Sequence, residues 1–343
     1  MPTIFLTGAT GYIGGHTLQL ITTQHPEWNI ITLLRTGTQA KIIRKQFPGI
    51  QTVVGSLEDL DVVAKCAAEA DVVLQLASSH LDSSTSMISS MARTPGKHKT
   101  LIQLSSLSTL QNAPNGYGKP SDIIYNDLNQ PTFIARIPAH SPEHSILSAG
   151  KQSGVSTAIV CPGLIYGMGK GPVRKRATTV PELIEAILKR GRGFVVGEGR
   201  NPHHQRTSSP TNTNTDSTAS LANFYFLASP SPLISMHDLT QGIVSIAMSH
   251  NAITLPSHTI EHLPPKHATQ IHPWAPMLWG SNCVGRSDRL HDLGWRAQGP
   301  CLADALEEMV DFEVELLAGR DEETSCAWRP NVGVRREEIV ACF

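Results

Sequence analysis

A short apolar run, Thr3–Leu6, passes into Thr7-Gly8-Ala9-Thr10-Gly11-Tyr12-Ile13-Gly14 and then into a segment, Gly11–Thr23, with the composition of a helix. Strand, glycine turn and helix in that order form the first unit of a sheet with crossover helices. The three glycines have separate tasks. Gly8 permits the tight turn, Gly11 lets backbone N–H groups approach a ligand closely, and Gly14 lets the helix pack against the strand. A helix N-terminus so exposed favours phosphate, because its first N–H groups are free and the macrodipole is positive there. A glycine triplet alone is weak evidence. At the first strand–helix turn of a long series it predicts a dinucleotide pyrophosphate.

The series is present. Asn29–Leu34, Gln51–Val54, Asp71–Leu76, Thr100–Leu104 and Val155–Val160 read as further strands, and Asp59–Glu69 as a helix. Continuous apolar strands between helices predict a parallel sheet covered on both faces, hence an α/β, doubly wound Rossmann fold. The expected organisation is a dinucleotide-binding domain over 1–168 and a smaller substrate-binding lobe with C-terminal elements over 169–343. In that second part Val180–Lys189, His237–Met248 and Leu302–Leu317 read as helices, the first framed by Pro181 and Gly191. The stretch 201–232 is rich in Ser, Thr, Asn and Pro, which predicts a disordered insertion that either forms or overhangs the substrate pocket or loops into solvent.

Composition excludes several partners. Of 343 residues, 40% are apolar and 17% charged, as in ordinary globular chains, and the formal net charge of −1 offers nothing to nucleic acid or an anionic membrane. No apolar run is long enough to span a bilayer and the N-terminus lacks a leader pattern, so a cytoplasmic protein is expected. The six cysteines are scattered without a CxxC pair, and His203-His204 has no ligating neighbours in sequence, so neither disulfides nor a metal is expected.

Cofactor choice is read at the end of the second strand. An acidic residue there binds the ribose 2′-OH of NAD. This chain has Leu34-Arg35-Thr36-Gly37 instead, and a guanidinium suits a 2′-phosphate, which predicts NADP(H).

These residues resemble the extended and atypical short-chain dehydrogenase/reductases, a group that includes epimerase/dehydratase-like proteins. Within that group the chain is most similar to fungal members named as nucleoside-diphosphate-sugar epimerases. The resemblance spans most of the chain. TGATGYIG is close to the family's phosphate loop. Gly55-Ser56-Leu57 is similar to its segment near adenine, and Leu76-Ala77-Ser78-Ser79 to the segment after the fourth strand. Cys161-Pro162-Gly163-Leu164-Ile165-Tyr166-Gly167 is similar to the segment beside the nicotinamide, with Cys where Arg is usual. Met236-His237-Asp238-Leu239 and Leu293-Gly294-Trp295 are similar to two later elements. The resemblance implies cofactor contacts from Gly8, Thr10, Gly11, Tyr12, Ile13, Gly14, Leu57, Ala77, Ser78, Pro162, Gly163 and Ile165, beside Arg35.

The departures bear on chemistry. The family's general acid is the Tyr of a YxxxK pair, and in the segment between the fifth and sixth strands, which should carry it, no Tyr has Lys four residues on: Tyr117 is followed by Ser121 and Tyr125 by Asn129. The segment that should carry the pair reads His140-Ser141-Pro142-Glu143-His144. His140 and His144 are therefore the candidate proton donors. If Pro142 opens the helix, His140 lies outside it. The family's catalytic Ser/Thr follows the fifth strand, which here selects Ser105 and Ser106. The expected activity is NADPH-dependent reduction of a small organic ketone or, preferably, a conjugated enone, as a tailoring step in secondary metabolism. Two alternatives stand beside it: a non-catalytic NADP(H)-sensing regulator of the NmrA-like kind, and a sugar-nucleotide epimerase. The missing YxxxK favours the first alternative and weighs against the second.

Overall fold

The computed structural model describes residues 1–77, 80–94, 98–128, 137, 141–203, 205–207, 222–227, 233–254, 259–295 and 300–319. The six expected strands form: β1 (Thr3–Thr7), β2 (Asn29–Leu34), β3 (Gln51–Val54), β4 (Val72–Gln75), β5 (Thr100–Leu104) and β6 (Ser156–Pro162). A seventh, β7 (Ala222–Leu227), completes one sheet of order β7-β6-β5-β4-β1-β2-β3. Every pairing is parallel, for example Ile4 with Ile30, Leu6 with Leu74, and Ala222 with Thr157. The strand order reverses between β1 and β4, where the ligand crevice of an open α/β sheet lies.

Helices cover both faces: α1 (Tyr12–Gln24) and α2 (Gly37–Gln46) on one, α3 (Leu60–Glu69), α4 (Leu81–Arg93) and α5 (Pro142–Ser153) on the other. Alternate residues of one strand feed two cores. Leu6 packs with Leu18, Ala40 and Ile43, whereas its neighbour Phe5 packs with Val63, Met87 and Leu101. That is why the central strands read as unbroken apolar runs. Helix α4 hides its inner face from a hydropathy reading. Its buried positions include Ser83, Ser84 and Ser90, satisfied through Gln75 Nε2 to Ser83 Oγ (3.2 Å), Ser84 Oγ to Gln103 Oε1 (2.9 Å) and Ser90 Oγ to the Ala64 carbonyl (2.6 Å). Helix α5 begins as its sequence dictates, with Ser141 Oγ as N-cap, Pro142 in the first turn and Gly154 in the left-handed conformation at its end.

The second lobe is built from α6 (Thr179–Arg190), α7 (Met236–Ser249), α8 (Pro265–Ala268), α9 (Ala275–Gly280), α10 (Asp288–Asp292) and α11 (Leu302–Ala318). Ile184, Ile187, Phe194, Leu239, Ile243, Trp279, Leu306 and Val310 form its core. One buried ion pair ties α11 to the chain entering α6. Arg176 Nε lies 2.6 Å from Glu313 Oε1, and its terminal nitrogen 3.1 Å from Glu313 Oε2 and 2.7 Å from Glu185 Oε2. Glu313 is 1% exposed.

The expectation for 201–232 is corrected in part. Pro202–His203 and Gln205–Thr207 are short strands, the latter parallel to Leu164–Tyr166, and Ala222–Leu227 is β7 itself. Backbone pairing to β6 outweighs the polar composition around it. Residues 204, 208–221 and 228–232 lie outside the described residues. The boundary at 168 is also revised, since the first domain's sheet draws β7 from beyond it. Among the described residues no helix is long and apolar enough to cross a membrane, and no group of His, Cys, Asp and Glu could hold a metal ion.

Candidate cofactor and substrate site

The C-terminal ends of β1, β4, β5 and β6 open into one cavity. Its walls are Gly11–Gly14 from the glycine loop, Leu76 and Ala77 after β4, Leu104–Ser106 and Ser108 after β5, and Pro162, Gly163 and Ile165 after β6. The second lobe closes the far side with Arg174, Thr178, Thr179, Met277 and Leu278.

The loop has the geometry of an anion cradle. Gly11 N–H donates to the Gly8 carbonyl at 2.8 Å, and Gly15 N–H to that of Gly11 at 2.9 Å. Gly11 is the N-cap of α1, and no side chain caps the helix. The amides of the first turn therefore stay available to a phosphate. Gly8, at φ +79°, lies against the backbone of Leu76 and Ala77, where a Cβ would approach to 2.8–2.9 Å. At Gly14 a Cβ would meet the Gly8 carbonyl oxygen at 2.1 Å. A Cβ on Gly11 would find only that oxygen, at 3.2 Å, and otherwise open space on the cavity side. The residues present thus fit a dinucleotide: two glycines close the loop, and the third leaves room where a pyrophosphate would lie.

Tyr12 shapes the site. Its hydroxyl hydrogen lies between the carbonyls of Tyr166 (3.0 Å) and Gly167 (2.9 Å), which pins the segment after β6 to the glycine loop. His16, 2% exposed, accepts from the Lys170 amide at 3.4 Å. Burial, and then the nearby Lys170 charge, hold its imidazole below the usual value, which favours the neutral ring.

The serines after β5 differ in what they offer. Ser106 Oγ accepts from Ser108 N–H (3.1 Å) and Ser108 O–H (2.8 Å), so its own hydrogen is the remaining hydrogen-bonding capacity. Ser105 donates to Glu143 Oε1 at 2.8 Å and lies 3.0 Å from Thr109 Oγ1. Cys161, at the end of β6, neighbours both Ser105 and Glu143; burial pushes its thiol well above the ordinary range and keeps it neutral.

Of the residues expected from the sequence, Gly11, Tyr12, Ile13, Gly14, Ala77, Pro162, Gly163, Ile165, Ser105 and Ser106 come together in this cavity. Gly8 lies beneath the loop, and Thr10 and Leu57 are half-buried away from the lining. Arg35 follows β2 with its side chain exposed, and its N–H donates to Gln39 Oε1 at 3.1 Å. Ser78 and His140 lie outside the described residues. His144 is not part of the lining: its Nε2 lies 3.2 Å from the Ile137 carbonyl. Successive helical residues point about 100° apart, so with Glu143 turned inward to Ser105, His144 is carried off the cavity side.

Sequence reasoning did not single out Ser108, Gln111, Arg174, Met277 or Glu143. Gln111 Nε2 donates to the Met277 carbonyl at 2.9 Å and joins the two lobes at the cavity floor. For Glu143 the only local signal is an acidic residue in a helix's first turn, which ordinarily marks a helix start.

An open parallel sheet with a glycine loop at its switch point defines a dinucleotide-binding Rossmann protein. Residues 8–181 match the NAD(P)H-binding family model, and the chain belongs to that family. Among curated proteins it is similar to "Oxidase ucsJ" of an Acremonium species, 29% identical over 92% of this chain and 98% of that one. It is also similar to an uncharacterised protein of Saccharomyces cerevisiae, YLL056C, at 28% identity over 58% of this chain and 64% of the other. Neither fungal relative carries an epimerase name. Solved structures share the fold: dTDP-glucose 4,6-dehydratase of Bacillus anthracis with NAD (TM-score 0.64, 14% identity, 92% of this chain, 97% of the other) and UDP-glucuronic acid 4-epimerase of Bacillus cereus with UDP-glucuronic acid and NAD (0.64, 15%, 92% and 99%).

Proposed function

We propose that this protein is an NADP(H)-dependent oxidoreductase that reduces a small carbonyl compound, with a conjugated enone as the preferred substrate. One observation carries the reading. The phosphate loop, the Pro162-Gly163-Ile165 segment and the serines after β5 line a single cavity, so a nicotinamide and a substrate oxygen would meet there. The oxidase name of the Acremonium relative supports an oxidoreductase. When bound, the cofactor supplies hydride. The chain's part is to hold both reactants and to stabilise the negative charge that develops on oxygen. Ser106, with its hydroxyl hydrogen uncommitted among the described residues, is the donor suited to that oxygen.

The enone preference follows from the absence of a Tyr–Lys pair from the cavity lining: Tyr166 and Lys170 have the YxxxK spacing, but the Tyr166 hydroxyl is buried and donates to the Pro300 carbonyl. A saturated ketone becomes an alkoxide that needs a proton as hydride arrives. An enone becomes an enolate, far less basic, which makes a weaker demand on the donors at its oxygen. NADPH oxidation with a matched enone and saturated ketone tests the reading. The enone is expected to react faster, and Ser106→Ala to lower turnover roughly tenfold or more, as loss of one oxyanion donor does. Faster reduction of the saturated ketone would remove the enone preference. NADPH binding without turnover across a panel of carbonyl compounds would point to a sensor instead.

Arg35 supports NADP(H) over NAD(H). It is exposed just after β2, the position at which folds of this kind contact the adenosine ribose, and makes no ion pair among the described residues. Charge-assisted hydrogen bonds to a phosphate contribute about 1.5–3 kcal/mol each. Arg35→Ala should therefore weaken NADP(H) binding at least several-fold in a fluorescence titration and leave NAD(H) binding nearly unchanged. Equal losses for both cofactors would refute the assignment.

A further inference from the structure

Glu143 is a carboxylate 8% exposed at the head of α5. Among the described residues no Lys, Arg or His forms an ion pair with it, and its hydrogen bond is to Ser105, 38 positions earlier in sequence. Helix α5 packs on α4, β6 and β7. From these elements the titratable group facing Glu143 is Cys161 of β6, whose thiol burial keeps neutral. His144, next in sequence, is turned to the Ile137 carbonyl. A carboxylate joined through one serine hydroxyl to a cavity is placed to pass a proton to or from a group bound there.

The two serines divide the hydrogen-bonding work. Ser105's hydrogen is committed to Glu143, so Thr109 is the donor in the contact between the two hydroxyls, and toward the cavity Ser105 acts as an acceptor. Ser106 presents a donor. A substrate oxygen at the two serines would accept from Ser106 and, when it bears hydrogen, donate to Ser105.

The geometry points to Glu143 and Ser105 as a proton relay that takes the place of the missing Tyr–Lys pair, with Glu143 acting through Ser105 on the substrate oxygen. This rests on the reductase reading above and deepens it. In the reductive direction hydride forms the new C–H bond at the enone β-carbon, and the π electrons move to the carbonyl oxygen. That oxygen takes the Ser105 proton while Ser105 Oγ takes one from a protonated Glu143. The products are an enol, which tautomerises in water to the saturated ketone, and a Glu143 carboxylate, which regains its proton from solvent. In the oxidative direction the same groups run in reverse, Glu143 receiving the substrate's hydroxyl proton through Ser105. The hydrogen bond in the structure, Ser105 donating to Glu143, is the base-ready form of this relay.

The test uses the full chain with NADP⁺ and para-nitrophenol, a phenol whose absorbance reports its ionisation and whose oxygen stands in for the enolate oxygen. Wild-type protein should bind the phenol and ionise it, because its proton passes through Ser105 to Glu143. Glu143→Gln keeps a hydrogen-bond acceptor for Ser105 but cannot take up the proton, so the bound phenol should stay neutral. Glu143→Asp should restore part of the ionised signal. NADPH affinity should be the same in all three proteins, which separates the relay from a folding defect. In turnover with the enone, Glu143→Gln should lower kcat at least tenfold with little change in KM, and it should flatten the pH dependence of kcat. Identical phenol spectra and pH profiles in wild type and Glu143→Gln would overturn the relay and leave Glu143 a structural side chain. A phenol signal that depends on Glu143, in a protein that oxidises NADPH with no carbonyl compound, would overturn the reductase reading and keep the relay. Absence of phenol binding to every variant would overturn the placement of the substrate oxygen at the serines, and the relay with it.

Discussion

Gly11→Val is expected to lower NADP(H) affinity by about a hundredfold or more, roughly 3 kcal/mol, in a protein that still folds. Gly11 has extended backbone angles, φ −77° and ψ 171°, which any residue adopts. Its Cβ would press only on the Gly8 carbonyl, at 3.2 Å, which a small shift relieves. The branched methyl groups would instead occupy the cavity side of the loop, where a pyrophosphate must approach the first-turn amides. Gly14→Val should behave differently. There the Cβ would stand 2.1 Å from the Gly8 oxygen, so the loop and α1 must separate before any ligand arrives. That variant should lose thermal stability as well as binding. Thermal unfolding and a cofactor titration on both proteins distinguish the two roles. Unchanged affinity in a folded Gly11→Val would refute the contact role, and an undisturbed melting temperature in Gly14→Val the packing role.

Arg176→Met is expected to cost about 3–5 kcal/mol of stability, the range for removing one partner of a buried ion pair. The variant leaves the Glu313 carboxylate, 1% exposed, without its bidentate guanidinium. At roughly 2–4 °C per kcal/mol for chains of some 150–250 residues, the melting temperature should fall by about 10 °C. The double variant Arg176→Met/Glu313→Leu should recover part of the loss, because Glu313 then leaves no buried charge behind and Glu185 keeps Lys189 as a partner. A single variant that costs under about 1 kcal/mol, or a double variant as unstable as the single, would show that the pair does not hold α11 to α6.

What could be read from the sequence follows from where each signal resides. Strands β1 to β6 are buried on both faces, so their apolar character is continuous and local. The glycine loop is equally local, since backbone conformation and close approach restrict residue type position by position. Helix α4 escaped because its core-facing serines look like loop residues until Gln75, Gln103 and the Ala64 carbonyl are brought opposite them. Strand β7 escaped because six residues inside a Ser- and Thr-rich tract are outweighed by their surroundings in any composition window. The cavity residues of the glycine loop and the strand ends were legible for the same reason as the loop. Glu143 was not. Reading the helix for a Tyr, a Lys or a His passes over Glu143, whose meaning depends on Ser105, a residue brought to it only by the β5–β6 pairing and the packing of α5.

The position of β7 has a consequence for synthesis. Strand β6 finds its outer neighbour only when residues 222–227 have been made, well after β6 itself. At ribosomal speeds of about 5–20 residues per second, that leaves the rim of the nascent sheet bare for several seconds. An uncovered rim of hydrogen-bonding backbone invites pairing with other chains. The nascent protein is therefore most exposed to aggregation while the second lobe is being translated, and its yield on expression should depend on chaperones that act on growing chains.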